Sequence, residues 1–175
     1  MKKIAILLIA IAALYISPSN AQKRGDRFFG GNLKFALSSS GSNGYMSTGT
    51  YCSIAPEFGY FVADRVKIGG GISYEFSSGA HAIAIVPDIT YYQPIADRLY
   101  YTPQLCIGGG LGTYFGYVAG VFTLSLNLAS FEYKPIDKLG ISACLINLNY
   151  NLIDRTNSFN FSILYSPSIA FHYYF

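Results

Sequence analysis

Apolar residues alternate with small or polar ones along much of the chain, and the longest such stretch covers residues 159–175. One parity carries bulky residues: Phe159, Phe161, Ile163, Tyr165, Pro167, Ile169, Phe171, Tyr173 and Phe175. The other parity, from Asn160 to Tyr174, is mostly small or polar. Because successive side chains of a β-strand point to opposite faces, the pattern predicts a strand with one apolar and one mostly polar face.

The same alternation recurs along the chain and predicts eight strands. We place them at residues 27–38, 50–62, 65–76, 82–92, 98–108, 118–134, 138–150 and 158–175. In the sixth strand the alternation changes phase, which predicts a β-bulge near Ala129 or Ser130. Four prolines oppose this assignment, because proline removes a ladder hydrogen bond, and bulges would accommodate them. They are Pro56, Pro87, Pro103 and Pro167.

Two kinds of connection alternate between the predicted strands. A three-residue motif occurs four times, in which Asp is followed by Arg or Lys and then by an apolar residue. It begins at Asp26, Asp64, Asp97 and Asp137, at intervals of about the length of one hairpin. Asp there, with Pro just before two of these motifs, signals tight turns. The other connections are rich in Gly, Ser and Asn and mostly longer: 38–50, 77–81, 108–120 and 151–158. We therefore expect short turns and both termini at one end of the sheet, and longer loops at the other.

The composition indicates which face meets solvent. Charged residues make up 12% of the chain and aromatic residues 17%, whereas ordinary soluble domains are about 25% charged. An apolar outer face with aromatic ends and a polar inner face is typical of a transmembrane β-barrel. A soluble lipocalin-like barrel is the alternative, but it would carry its apolar face inside and Lys and Glu outside. The small net charge does not support nucleic-acid binding.

The N-terminal segment has the features of a secretory signal peptide. Lys2 and Lys3 precede an apolar run from Ile4 to Ile16, and small residues precede a cleavage site after Ala21. The run is too short to span a membrane as a helix, and no later stretch reaches the roughly 20 apolar residues required. We expect a signal peptide at residues 1–21 and one barrel domain at residues 22–175.

The inward parity of the predicted strands carries ionisable residues of both signs. These are Lys34, Glu57, Lys67, Glu75 and Asp88, and we interpret them as a structural charge network in the lumen. A gate or proton path is the alternative reading. Eight strands leave an interior that side chains fill, so we do not expect an open pore.

Catalytic, metal and cofactor sites are not indicated. His81 and His172 are the only histidines, and the His-x-Ser pair of a deacylase-type site is missing at residues 81–83. We expect a rim histidine to be solvated rather than catalytic. Cys52, Cys106 and Cys144 lack metal-site spacing and are interpreted as packing residues. We expect no enzymatic activity and no cofactor.

With these features and the ending Phe171-His172-Tyr173-Tyr174-Phe175, residues 22–175 resemble small outer-membrane β-barrel domains of the OmpA-transmembrane, OmpX and OmpW kind. The resemblance implies an all-β, eight-stranded, antiparallel up-and-down transmembrane barrel in the Gram-negative outer membrane, with both termini periplasmic. It implies contacts with outer-membrane lipid and lipopolysaccharide. It also implies that Phe171, Tyr173 and Phe175 form an assembly signal for the outer-membrane assembly machinery.

Our leading hypothesis for the function is a structural or interaction scaffold, since the fold does not decide the function. In this role it would bind a protein partner through two extracellular loops, Ser39–Thr50 and Gly109–Gly120. In the second loop, the candidate contact residues are Tyr114, Phe115 and Tyr117. Two alternatives remain open: a narrow-lumen transporter of small apolar solutes, and an accessory subunit of a larger outer-membrane complex.

Overall fold

A computed structural model of the protein describes residues 22–42, 45–77, 79–114, 116–153 and 156–175. The predicted signal peptide, residues 1–21, lies outside the described residues. Ten strands are formed: β1 (Arg27–Ser42), β2 (Tyr45–Ala63), β3 (Val66–Ser77), β4 (Ala80–Tyr91), β5 (Gln93–Ala96), β6 (Leu99–Tyr101), β7 (Gln104–Tyr114), β8 (Tyr117–Ile136), β9 (Leu139–Ile153) and β10 (Thr156–Tyr174). Within these ranges, no helix is long and apolar enough to cross a membrane.

The ten strands form a closed ring that is equivalent to an eight-stranded barrel, because two of its eight strands are each divided into two shorter ones. β4 and β5 act as one wall strand interrupted at Tyr92, and β6 and β7 act as another interrupted at Thr102 and Pro103. Every pairing is antiparallel, and once the two interrupted strands are each counted as one, strands that follow each other in sequence pair with each other. β1 pairs with both β2 and β10, which closes the ring. This arrangement confirms the predicted eight-stranded, antiparallel, up-and-down barrel.

The four prolines are accommodated in three ways. Pro103 lies in the break between β6 and β7. Pro56 and Pro87 lie where the ladders to β3 and β7 skip pairs and resume in the same register. Pro167 lies within a register shift of β10 against β9. The bulge interpretation therefore holds for Pro167 alone, and the others remove ladder bonds without moving the strand.

The bulge predicted from the phase change in the sixth strand is confirmed. The register of β8 against β9 shifts on both sides of Ala129. A bulge inserts one extra residue, so the side chains beyond it change faces. As a result Phe131 and Tyr133 follow a different phase from Leu124, and Glu132 points into the barrel.

The predicted long loops are wrong. β1 and β2 remain paired up to Ser42 and Tyr45, and β7 and β8 up to Tyr114 and Tyr117. Segments 39–50 and 109–120 are therefore largely strand. Gly- and Ser-rich sequence lacks an apolar alternation, yet its backbone forms a ladder as well as any other. Phe115 and the turn residues 43 and 44 lie outside the described residues.

The repeated Asp-Arg and Asp-Lys motifs build the lower rim, defined here as residues 22–28, 61–66, 92–100, 132–140 and 172–175. The carbonyl of the basic residue accepts a backbone hydrogen bond from the next hairpin: Tyr92 N–H donates to Arg65 (2.7 Å), Lys134 N–H to Arg98 (2.8 Å) and Tyr174 N–H to Lys138 (2.9 Å). The sequence repeat thus corresponds to a repeated link between successive hairpins.

The apolar residues are divided between the outside of the barrel and one end of its interior. Large apolar side chains cover the outer face in the alternation read from the sequence, with Ile85 68% exposed as an example. The buried cluster lies inside the lower rim and consists of Phe28, Phe61, Tyr92, Tyr100 and Tyr174. The distribution is the inverse of a soluble barrel, whose apolar side chains fill the interior.

Candidate functional site in the barrel lumen

The centre of the lumen contains a buried three-residue charge cluster. β2, β3 and β4 are neighbours and place Glu57, Lys67 and Asp88 on their inward faces. Lys67 Nζ lies 2.5 Å from Glu57 Oε1 and 3.1 Å from Asp88 Oδ2, and the lysine side chain is only 1% exposed. Its ammonium also lies 4.4 Å from the centre of the Phe28 ring. One cation therefore compensates two carboxylates in a site that water scarcely reaches.

Hydrogen bonds continue from this central cluster around the barrel wall. Asp88 Oδ2 accepts from Thr90 Oγ1 (2.9 Å) and Gln104 Nε2 (3.0 Å). Gln104 Oε1 accepts from Asn127 Nδ2 (2.7 Å). Asn127 Oδ1 in turn accepts from Asn147 Nδ2 (2.7 Å). The network thus connects β2, β3, β4, β7, β8 and β9, and fixes side chains on the inner wall.

Of the five lumen residues proposed from the sequence, the structure brings three into contact. Glu57, Lys67 and Asp88 form the central cluster. Lys34 and Glu75 line the same interior. Within the described part of the chain, neither of these two forms an ion pair.

A second cluster, which the sequence analysis missed, lies inside the lower rim and is centred on Glu132. Its Oε2 lies 2.8 Å from His172 Nδ1, and its Oε1 accepts from Tyr174 OH at 2.5 Å. Tyr92 OH lies 3.4 Å from Oε2 and 3.2 Å from Tyr174 OH. Lys134 Nζ lies 3.6 Å from the centre of the Tyr174 ring. We call Glu132, His172, Tyr174 and Tyr92 the lower cluster.

The expectation that a rim histidine is solvated is wrong for His172, which is buried against Glu132 and the edge of the Phe28 ring. The predicted bulge near Ala129 was the signal that could have placed Glu132 inside. Its contact with His172 joins residues 40 positions apart, so it depends on barrel closure rather than on a local pattern.

A cavity of about 180 Å³ lies above the lower cluster. Tyr92, Glu132 and His172 line its lower end. Small and polar side chains provide most of its remaining lining, including Lys34, Ser73, Glu75, Thr123, Asn147 and Asn149. This lining suits water or a small polar group. Across the described ranges, no cluster of His, Cys, Asp and Glu has the makings of a metal site, and the three cysteines are free thiols.

Among the described residues, the first and last strands pair along only part of their length. β1 pairs with β10 only from Phe28 and Tyr174 to Leu33 and Ile169. Continuing that register would place Phe35 opposite Pro167, which has no N–H, within the register shift of β10. Among the described residues, no ladder joins β1 to β10 beyond Leu33. We call the facing segments 34–42 and 160–168 the β1–β10 seam.

The residues proposed as an assembly signal lie on the outer face of β10 and at its end. Phe171, Tyr173 and Phe175 are exposed, and the Phe175 backbone exchanges two hydrogen bonds with Arg27 of β1 (3.0 and 3.1 Å). Their recognition by an assembly machinery stays a prediction.

The closed antiparallel ring, apolar outside and polar inside, defines an eight-stranded β-barrel, and comparison with solved structures agrees. Neisserial surface protein A is 11% identical, with a TM-score of 0.51, and the match covers 86% of this chain and 99% of that protein. This similarity shows the fold. No family model matches the sequence, and the comparison with curated proteins gave no match.

Two other solved barrels match less closely. A de novo designed transmembrane β-barrel is 11% identical with a TM-score of 0.46, over 89% of this chain and 99% of the design. A loop L8 deletion mutant of OmpT, an outer membrane protein of Vibrio cholerae, is 13% identical with a TM-score of 0.33, over 86% of this chain and 50% of that protein.

Proposed function

We propose that the protein is an integral outer-membrane β-barrel with a structural or interaction role. The observation that carries this proposal is the outward apolar surface on a ring whose interior is polar and hydrogen-bonded. Such a surface is stable in lipid, where a barrel strand needs an apolar side chain on one face and a backbone partner on each side.

The orientation follows from the difference between the lower rim and the opposite end of the barrel, the upper rim, where β1 meets β2, β3 meets β4, β7 meets β8 and β9 meets β10. Both ends of the barrel sequence and the short Asp-Arg turns lie at the lower rim, which we assign to the periplasm because outer-membrane barrels have short periplasmic turns. The paired ends of β1–β2 and β7–β8 then extend outward in place of loops. Tyr117, proposed from the sequence as a contact residue, is 80% exposed there. We propose that these strand ends, rather than flexible loops, contact a protein partner or lipopolysaccharide.

The absence of enzymatic activity is part of the proposal. His81 lies on the outer face, where its Nδ1 is 2.9 Å from Tyr74 OH, and it packs beside Phe76. His172 is held by Glu132 inside the lower rim. Within the described residues, neither histidine has a hydrogen bond with a serine, so the constellation for acyl transfer is not assembled around them.

Tryptophan fluorescence in lipid provides the test. The chain contains no tryptophan, so Ile85→Trp introduces a single probe on the outer face and Lys34→Trp a single probe in the lumen. In vesicles whose acyl chains carry bromine, we expect strong quenching of the first probe and weak quenching of the second. Strong quenching at position 34 with none at position 85 would show that the two faces are reversed.

One observation favours transport as a second function. The β1–β10 seam begins beside the cavity, because its first residue, Lys34, belongs to the cavity lining. Asn32, just before the seam, and Cys144 and Asn147 of the next strand, β9, line the cavity too. Phe35 and Phe161, which belong to the two segments of the seam, are exposed on the apolar outer face. An amphiphilic solute could place its polar group in the lumen and its apolar part in lipid. The polar lining of the cavity favours such an amphiphilic solute over the small, purely apolar solute that the sequence alone left open.

Closing the seam tests the transport function. In a background without native cysteines, Ala36→Cys with Ser166→Cys pairs positions that the continued register would place opposite each other. A disulfide there is expected to abolish amphiphile uptake into vesicles, with recovery on reduction. Leu33→Cys with Ile169→Cys, at the existing end of the ladder, is the matched control. Undiminished uptake after complete crosslinking at 36 and 166 would exclude passage through the seam.

A further inference from the structure

Gln22 is held at the lower rim with its side chain unsatisfied. The residue is 3% exposed, and among the described atoms neither Nε2 nor Oε1 has a hydrogen-bond partner. Its backbone is fixed, because Gln22 O accepts from Arg65 N–H at 3.1 Å. The next residues are fixed too: Arg24 N–H donates to Asp64 Oδ1 at 3.0 Å and Gly25 N–H to Phe61 O at 2.9 Å.

The cleavage predicted after Ala21 would make Gln22 the first residue of the mature chain, and the proposed function requires that export step. A free N-terminus would then add an ionised α-amine to a position that already contains an unpartnered carboxamide. Burying a charge or an unpaired polar group costs free energy. Lys23 and Arg24, the next two residues, are themselves cationic, and the nearby carboxylates of Asp26 and Asp64 already accept from the Lys23 and Arg24 N–H groups (2.9 and 3.0 Å). The ionised amine would therefore be a third positive charge in this segment.

We propose that Gln22 is a modification site, and that the mature N-terminus is pyroglutamate. The α-amino nitrogen attacks Cδ of its own side chain, a Cδ–N bond forms, the Cδ–Nε2 bond breaks, and ammonia leaves with a proton from the amine. The reaction is intramolecular and involves no change of oxidation state and no second reactant. The product lactam lacks both the ammonium charge and the unpartnered NH₂ group. The ring closes in the exported chain before folding, while Gln22 is still accessible.

Intact-mass measurement and N-terminal sequencing of the protein purified from outer membranes test this inference. We expect a mass lower by one ammonia than that of the chain starting at a free Gln22. We also expect blocked Edman degradation, which pyroglutamate aminopeptidase relieves on the denatured protein to give Lys23 as the first residue. A free Gln22, or a mature chain starting elsewhere, would overturn the proposal. A free Gln22 on protein recovered from the outer membrane leaves the proposed function standing, whereas protein that is absent from the outer membrane and still begins at Met1 refutes the export on which both depend.

Two variants separate the lactam from any other blocking group. Gln22→Asn keeps a carboxamide but would need a strained four-membered ring, and Gln22→Ala has no group to cyclise. Both are expected to reach the membrane with a fully sequenceable N-terminus, so the blocked fraction falls from nearly all molecules to none. A blocked N-terminus in either variant would show that the modification is not cyclisation of the glutamine side chain.

Discussion

At the scale of single residues, Lys67 is the cation on which the central cluster depends. It contacts both Glu57 and Asp88 inside the lumen. We predict that Lys67→Gln lowers the free energy of unfolding by about 3–5 kcal/mol, because two buried carboxylates are left without their cation. Urea titration in lipid vesicles, read by the mobility difference between folded and heated protein on gels, measures the loss.

Glu75→Gln provides the control for that prediction. Glu75 lines the same interior, and glutamine keeps its size and an oxygen acceptor. We expect a much smaller change in unfolding free energy than for Lys67→Gln. If both variants lost the same unfolding free energy, any charged side chain in the lumen would stabilise the barrel equally, and the ion pairs of Lys67 with Glu57 and Asp88 would have no special role.

The lower cluster depends on a close approach at Gly140. A Cβ at this position would clash with Glu132 Oε1 and lie 2.7 Å from Glu132 Cδ, whereas a Cβ at Gly109 on the outer face meets nothing within 4 Å. We predict that Gly140→Ala destabilises the barrel by about 1–3 kcal/mol through overpacking, and that Gly109→Ala is near neutral. The same urea titration compares them. A neutral Gly140→Ala would indicate that Glu132 moves without breaking its contacts with His172 and Tyr174.

Sequence alternation predicts which way a side chain points but not which side chain it meets. Glu57, Lys67 and Asp88 were identified as inward because each follows the period of its own strand. Their mutual contact follows from the registers β2–β3 and β3–β4, which pair Glu57 with Gly71 and Lys67 with Thr90. Those offsets are set by turn geometry, and a shift of one residue reverses the faces.

At the scale of secondary-structure elements, the lower-rim turns contain arginines with left-handed backbone. The φ angles are +68° at Arg65 and +61° at Arg98, a region that is unfavourable for residues other than Gly, Asn and Asp. Each arginine is the second residue of a tight turn followed by a bulged register, which is a common hairpin geometry. The Arg98 guanidinium also donates to Pro135 O of the next hairpin.

Two substitutions at Arg98 separate backbone strain from side-chain contact. Arg98→Asn and Arg98→Val both lose the guanidinium contact with Pro135 O, but asparagine tolerates the left-handed region and valine does not. We predict that the valine variant is less stable by about 1–2 kcal/mol than the asparagine variant, as measured by urea unfolding in vesicles. Equal stabilities would show that the turn changes its backbone conformation at no cost.

Strands are predictable from sequence where one of their faces is apolar, and they are not predictable where neither face is. β3 and the lower part of β10 alternate cleanly because one of their faces is apolar, and the bulge at Ala129 was visible as a phase change in that alternation. The upper ends of β1, β2, β7 and β8 are rich in Gly, Ser and Thr, so they were assigned to loops. Backbone pairing extends these strands, and hydrophobic periodicity does not report it.

At the scale of the whole molecule, the lumen is closed at its lower end. Phe28, Phe61, Tyr92, Tyr100 and Tyr174 pack there, with the lower cluster among them. We predict that the reconstituted protein shows no steady conductance of porin size in planar bilayers. The double variant Phe61→Ala with Tyr92→Ala removes two of the packed rings and is expected to raise conductance severalfold. Large stable channels in the unaltered protein would contradict a closed lumen.

The orientation of the barrel in the membrane is predicted from the difference between the two rims. Tyr117 is exposed at the upper rim and Ala96 at the lower rim, so Tyr117→Cys and Ala96→Cys report opposite sides of the membrane once Cys52, Cys106 and Cys144 are replaced. On intact cells, a membrane-impermeant maleimide is expected to label position 117 and leave position 96 unlabelled. After the outer membrane is permeabilised, both positions are expected to react, which shows that Ala96→Cys is reactive in itself. Labelling of position 96 alone on intact cells would place the Asp-Arg turns outside and reverse the orientation.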